Sequence, residues 1–452
     1  MPRPIARPGR ARRSVRRALI AAAIATLAGG AVALAAVAPG NGPATVDRTA
    51  VRVDQGLGDV AVVFDIRDVD PEVVTGTFAA SEQAGAAAAP ARTASVGLRA
   101  ITRAGSLVHA APDGFLVPMV LIAMPRAALG GVVGDDIPGA LDDSTVMLNE
   151  LTAQATGAQQ GDILELRAVD GSSQWFSIGR VLPYSRIGGS ELLMTPGAAD
   201  RLGVVADTEM IVWNIESRPS FDAAVSNVGL TTRPNTKVAR SWDARDPDDA
   251  LSTARLKSMI GEPWYQVVSG DTIEMHPTWK ATYLPPGRVL LSAAIPVRAR
   301  CHNAVSGALG AALDEVAAAG LGGAIDLGNT NTYGGCFNAR YSRDSGFLSR
   351  HAYAIALDMN TTSNCQGCTP RMNCDVVRIF RKHGFAWGGN WRHPDGMHFE
   401  WVGEPRDQIA YPSRYCANNV GGAPQSNGPG ATAEGEIGRD VLLAGLDEGT
   451  GA

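Results

Sequence analysis

His351, Asp358 and His398 are the side chains of this sequence best suited to hold a metal ion. His351 and Asp358 bracket an apolar run in "SRHAYAIALDMN" (349–360), and His398 lies in "PDGMHFEWV" (394–402). The chain has only seven histidines, at 109, 276, 302, 351, 383, 393 and 398, and five fall in its last third. Two imidazoles and one carboxylate leave a fourth tetrahedral position open, which is the donor set of catalytic zinc. Zinc lowers the pKa of its water to about 7, but the reaction still needs a base within reach. Asp395, three residues before His398 in a Pro-Asp-Gly turn, fits that need. A cation must also hold a substrate carboxylate or a developing oxyanion. Arg340, eleven residues before His351, is the first candidate and Arg343 the second. Glu400, two residues after His398, reads as support for that imidazole rather than as the base. His383, before Gly384, reads as a helix-end residue facing the dipole. His393 reads as a rim residue, and His302 as an ordinary surface or core histidine.

The elements that must position these groups are short strands and turns. "MHFEWV" alternates, putting His398 and Glu400 on one face and Met397, Phe399 and Trp401 on the other. "AYAIALDM" alternates as well, with Ala354, Ala356 and Asp358 on one face. In a flat strand the odd spacing of seven would set His351 and Asp358 on opposite faces. The ligand reading therefore requires a bend near His351. Before these strands, "NAVSGALGAALDEVAAA" (303–319) has helical spacing, with Asn303 as its expected cap and Gly320 as its end.

Two motifs together, "GCFNARYSRDSGFLSRHAYAIALDMN" and "HGFAWGGNWRHPDGMHFEW", closely resemble the D-alanyl-D-alanine carboxypeptidase family of zinc peptidases. That family also contains L-alanyl-D-glutamate endopeptidases. The resemblance covers roughly residues 295 to 405. It implies Zn2+ on His351, Asp358 and His398, Asp395 as general base, Arg340 as a substrate contact, and Ser349 and Trp391 in the site wall. It also implies a small α+β domain with an antiparallel sheet. The chain departs from the family at Ala354, where glycine is frequent, and at Asn390, where "GGDW" is frequent. Neither position is a ligand.

The remainder of the chain bears on location and partners. Of 452 residues, 45% are hydrophobic and 19% charged, enough for two or three packed domains. A net charge of −5 gives no indication of nucleic-acid binding. Residues 1–17 hold seven arginines and no acid, and 18–38 carry no charge. Those 21 residues span roughly 30 Å as a helix, one hydrocarbon core. They read as a membrane anchor or a cleaved signal peptide, and either places the body outside the cytoplasm. Six cysteines, 301, 336, 365, 368, 374 and 416, form an even set that reads as disulfides in such a compartment. Cys301 with Cys336 is the preferred pair. The alternative of a second zinc within "NCQGCTPRMNCD" (364–375) is less favoured.

Residues 39–47 read as a linker and 48–235 as a separate α+β domain. Within it, "GDILELRAVDGSSQWFSIGRVL" reads as two strands about an Asp170-Gly171 turn. "TPGAADRLGV" reads as a helix capped by Thr195 and closed by Gly203, and "EMIVWNI" as a strand. Over about 75 residues this succession is similar to the extracytoplasmic domain of ABC-type permeases, which implies a docking role toward a membrane complex. Residues 236–290 read as a connector, 291–418 as the peptidase domain, and 419–452 as a disordered tail by composition. The fold class expected throughout is α+β. The expected activity is hydrolysis of peptidoglycan stem peptides, at D-Ala–D-Ala or at L-Ala–D-Glu. The alternative is a module that binds such peptides without cutting them.

Overall fold

The computed structural model describes residues 59–64, 86–134, 136–187, 189–227, 229, 237–243, 245–270, 272–326, 333–342 and 346–418. The apolar run at 18–38, Arg343 and the segment 419–452 lie outside the described residues. No helix among the described residues is long and apolar enough to cross a membrane. The described residues all belong to one compact unit, and the architecture is α+β.

The first region is built on ten strands: β1 (Asp59–Phe64), β2 (Ala87–Arg103), β3 (Ser106–Ala110), β4 (Val117–Ala123), β5 (Thr145–Asn149), β6 (Ile163–Arg167), β7 (Ser173–Leu182), β8 (Leu192–Met194), β9 (Glu209–Ile215) and β10 (Lys237–Arg240). They follow the order β10-β1-β9-β2-β4-β8-β5-β7-β6, and β6 pairs back onto β2. That last pairing closes β2, β4, β8, β5, β7 and β6 into a barrel, whose interior holds Leu98, Ile101, Leu121, Leu148, Phe176 and Leu192. Closure removes the open edges that an exposed sheet would present. At 17 residues, β2 is long enough to serve the barrel with one half and β9 with the other. The Asp170-Gly171 turn lies between β6 and β7, with Gly171 at φ +82°. Thr195 caps α1 (Pro196–Arg201) by accepting the Ala198 N–H.

The stretch read as a connector divides in two. Its first residues form β10, at the far edge of the large sheet. From residue 245 on it joins the C-terminal core. α2 (Thr253–Ile260), β11 (Tyr265–Ser269), β12 (Thr272–Met275), β13 (Val289–Ser292) and β14 (Val297–Ala299) contribute to that core. Leu256, Ile260, Tyr265, Ile273, Met275 and Trp279 form one cluster with Leu309, Leu313, Leu357, Phe380 and Phe399.

α3 (Asn303–Ala318) matches the expected helix, but its cap is His302 rather than Asn303. The His302 Nδ1 accepts the Ala304 N–H at 3.1 Å, while Asn303 is already the first helical residue. Gly320, at φ +75°, follows the helix end as expected. A four-stranded sheet in the order β15 (Tyr333–Gly335), β16 (Ala356–Met359), β18 (His398–Trp401), β17 (Phe385–Trp387) lies beside α3 and α4 (Cys374–Lys382). Every pairing in this sheet is antiparallel. Disulfides join Cys301 to Cys336, Cys365 to Cys368 and Cys374 to Cys416. The first is the preferred pair, and the other two use every cysteine considered for a second zinc.

Candidate active site

The strand expected over 353–359 is shorter than its alternation implies. β16 begins at Ala356, and residues 350–354 form a turn. In this turn the Ser349 carbonyl accepts the Ala352 N–H (2.7 Å) and the His351 carbonyl accepts the Ala354 N–H (3.0 Å). Ala354 takes φ +58°, a left-handed conformation that costs a non-glycine residue about 1–2 kcal/mol. Ala354 is therefore not on the Asp358 face of a strand. It is the corner that reverses the chain, and this is the bend that brings His351 round to Asp358. Glycine would adopt the same backbone without that cost.

The two ligand strands meet in register. Asp358 is directly opposite His398, and Ala356 is opposite Glu400. The His351 Nε2 is 3.1 Å and the His398 Nδ1 3.3 Å from the same Asp358 oxygen. One ligand atom from each of the three residues falls within 4.8 Å of the others. The outer nitrogens are also used. His351 Nδ1 donates to the Cys336 carbonyl at 3.0 Å, which leaves Nε2 as the lone-pair nitrogen. His398 Nε2 faces Glu400 Oε2 at 3.3 Å, which directs Nδ1 inward. Two imidazoles with fixed inner lone pairs and one carboxylate fit a zinc ion. Burial raises the Asp358 carboxyl, but His351 and His398 outweigh it and hold that carboxyl well below the usual range.

Asp395 lies beside this cluster. Its N–H donates to the Gly388 carbonyl (2.8 Å), and its own carbonyl accepts the His398 N–H (3.1 Å). The Oδ1 atom is buried and has no hydrogen-bond partner among the described residues. Burial pushes its pKa up; Asp358 adds to that, while His398, His351 and Arg340 pull it down. A carboxyl held this way is suited to accept a proton and release it again.

Trp391 packs on His398 with ring centroids 5.2 Å apart. Arg340 is half-buried on a segment whose carbonyl accepts the Ser349 N–H at 3.1 Å, and its Nη1 donates to the Tyr341 carbonyl. Ser349 is 3% exposed, and its hydroxyl accepts the His351 N–H at 3.3 Å. Ser349 thus sits beneath His351 and steadies its turn. His383 terminates α4 and reaches Glu315 Oε2 at 2.7 Å, away from the cluster.

Two contributors were not read from the sequence. Asp248 is buried behind Trp387 and Trp391. Arg350, next to His351, donates to the Leu251 carbonyl and to Thr253. Both links come from a proline- and acid-rich stretch about one hundred residues upstream, where no local signal points to the site.

Comparison with known proteins adds the following. A family model described as D-alanyl-D-alanine carboxypeptidase matches residues 342–401. No curated protein matches the chain. The periplasmic region of MacB from Actinobacillus actinomycetemcomitans aligns with 42% of this chain and 92% of its own, at 11% identity and a TM-score of 0.26. A domain of a permease protein from Porphyromonas gingivalis aligns with 40% of this chain and 86% of its own, at 14% identity and a TM-score of 0.24. The family match takes in His351, Asp358, Asp395 and His398 and stops two residues short of Arg340. Over residues 342–401 the chain is thus similar to a family of peptidases, the D-alanyl-D-alanine carboxypeptidases.

Proposed function

We propose that this protein is a zinc-dependent peptidase acting on peptidoglycan stem peptides outside the cytoplasmic membrane. The observation that carries the reading is the meeting of His351, Asp358 and His398 beside the buried, unpartnered Oδ1 of Asp395. The family match supports the peptidase class. An arginine-rich flank followed by an uncharged run, together with three disulfides, supports the location, whether the chain is anchored or released.

Zinc held by His351, Asp358 and His398 would supply Lewis acidity toward the scissile carbonyl and lower the pKa of water. Asp395 takes the proton of the attacking water at Oδ1 and returns it to the leaving amine. Arg340 holds the negative charge of the substrate or of the tetrahedral state. Trp391 packs on the His398 ring and walls the cluster on that side. Glu400 and the Cys336 carbonyl keep the two imidazoles oriented. The barrel region serves as the part that docks to a membrane complex.

The test is a digest of purified muropeptides by the zinc-loaded chain, read by mass spectrometry, with a chelated control. Loss of a terminal D-Ala or scission at L-Ala–D-Glu is expected, abolished by the chelator and restored by Zn2+. Stoichiometric zinc with intact muropeptides would overturn hydrolysis in favour of a module that only binds stems.

A further inference from the structure

Every side of the candidate site is tied to the stretch 245–275, and one carboxylate there makes most of the ties. Asp248 is 1% exposed. Its Oδ1 accepts Arg381 Nε (2.8 Å) and the Trp387 N–H (3.1 Å). Its Oδ2 accepts Asn390 Nδ2 at 2.7 Å and a second Arg381 nitrogen. Its backbone carbonyl accepts the Trp391 indole N–H at 2.9 Å. Apart from Arg381, all of these donors lie in the single turn Trp387–Trp391.

That turn carries the chemistry-bearing neighbours. The Gly388 carbonyl holds the Asp395 N–H, and the Trp387 indole donates to the Gly396 carbonyl at 2.9 Å. Trp391 rests on His398. A β-carbon on Gly388 would come within 2.8 Å of the Asp395 carbonyl, so turn and base are in tight contact. Asn390 donates to Asp248 with one end and accepts the Tyr415 N–H with the other at 3.0 Å. The acid therefore stands at 248 and the amide at 390, sharing one hydrogen bond.

We infer that Asp248 is a positioning residue of this site: it fixes the Trp387–Trp391 turn and, through it, the placement of Asp395 and Trp391. The inference rests on the peptidase reading above. It goes further in assigning part of the active site to a stretch outside the residues that match the family. An ion pair serving stability alone would need only Arg381. Here three further donors from one turn converge on the same residue, which restricts the turn in position as well as in energy.

The experiment uses the full zinc-loaded chain and a defined stem pentapeptide. Asp248→Asn keeps the shape but sets an amide against the Asn390 amide and removes the charge facing Arg381. Its kcat is expected to fall about tenfold to a hundredfold with KM nearly unchanged, since the base is displaced rather than the substrate contacts. Zinc stoichiometry is retained, and the Trp391 indole N–H exchanges faster with deuterium. Adding Asn390→Asp reverses the shared hydrogen bond and returns a carboxylate to the cluster. That double variant is expected to recover most of the lost kcat, a non-additivity that general destabilisation does not produce.

Wild-type kcat in a folded Asp248→Asn variant overturns the inference, as does a folded double variant with no recovery. If Asp248→Asn does not fold, Trp391→Phe decides, because it removes only the indole bond to the Asp248 carbonyl. A drop in kcat at unchanged Tm supports the assignment, and unchanged kcat overturns it. A wild-type chain that cuts no stem peptide refutes the peptidase reading instead. In that case the indole exchange still judges Asp248: unaltered protection in Asp248→Asn overturns its part.

Discussion

Glu191 in the barrel and Asp395 beside the metal-type cluster are both buried carboxylates, and their surroundings are opposite. Glu191 is fully enclosed and fully satisfied. It meets Lys257 Nζ at 2.6 Å, the Thr152 hydroxyl at 3.0 Å and the Val120 N–H at 3.1 Å. Lys257 completes the pair by donating to the Pro118 carbonyl at 2.7 Å. Asp395 leaves one oxygen with no partner, and burial holds its proton more tightly than usual. A satisfied buried charge rigidifies its surroundings, whereas an unsatisfied one is an energetic cost that persists where a substrate or water will use it. The first carboxylate joins the barrel to α2; the second is left available for proton transfer.

The largest effect that separates the two is on turnover. Asp395→Asn should lower kcat by about 10²- to 10⁴-fold while the zinc content stays at one ion per chain. Near-normal muropeptide hydrolysis by that variant would remove Asp395 from the role of base. Glu191→Ala should show the converse behaviour. It leaves Lys257 buried without its counter-charge, so urea unfolding should register a loss of about 3–5 kcal/mol with zinc stoichiometry intact. A loss below about 1 kcal/mol would mean that water replaces the carboxylate and that the pair is not the joint proposed here.

A third test uses His302. Burial depresses its pKa from 6.5 to about 4 in the folded chain. On acidification the unfolded chain takes up this proton first. Stability therefore declines as pH falls from about 6.5 to about 4 and levels off below that, by about 3 kcal/mol in all. His302→Asn retains a side-chain cap for α3 and should flatten that part of the pH–stability curve. An unchanged slope would assign the acid sensitivity elsewhere.

The smallest effect concerns Ala354. Ala354→Gly relieves the left-handed backbone at about 1–2 kcal/mol but adds about 0.5–1 kcal/mol of chain entropy and removes a buried methyl. The expected net gain is about 0.5 kcal/mol at most, with kcat unchanged, readable as a small rise in Tm. A marked loss of turnover would show that the methyl shapes the cleft rather than merely occupying a corner.

The donors of the site were legible because each sits in a short segment with its own local signal. A Pro-Asp-Gly turn before an alternating strand locates Asp395 and His398, and an aspartate ending an apolar run locates Asp358. The turn at 350–354 was not legible as such, since "AYAIAL" alternates like a strand and an alanine with positive φ looks like any other alanine. His302 was passed over as a cap because side-chain capping is mostly the work of Ser, Thr, Asp and Asn. Barrel closure through β6 and β2 depends on pairing across more than sixty residues, which periodicity cannot report. Asp248 illustrates the same limit: "DPDDA" has the composition of a solvated link, and only the folded chain sets one of its acids among buried donors.

The shared core of stretch 245–299 and the four-stranded sheet bears on how this enzyme-like part can be handled as a unit. Cutting the chain at residue 291 would strip Leu256, Tyr265, Ile273, Met275 and Trp279 from the cluster they share with Phe380 and Phe399. It would also leave Arg381 without the carboxylate that faces it. The portable piece, the one that could be grafted onto another carrier and still fold, begins upstream of Asp246. Its boundary is drawn by packing, far outside the sixty residues that resemblance alone would excise.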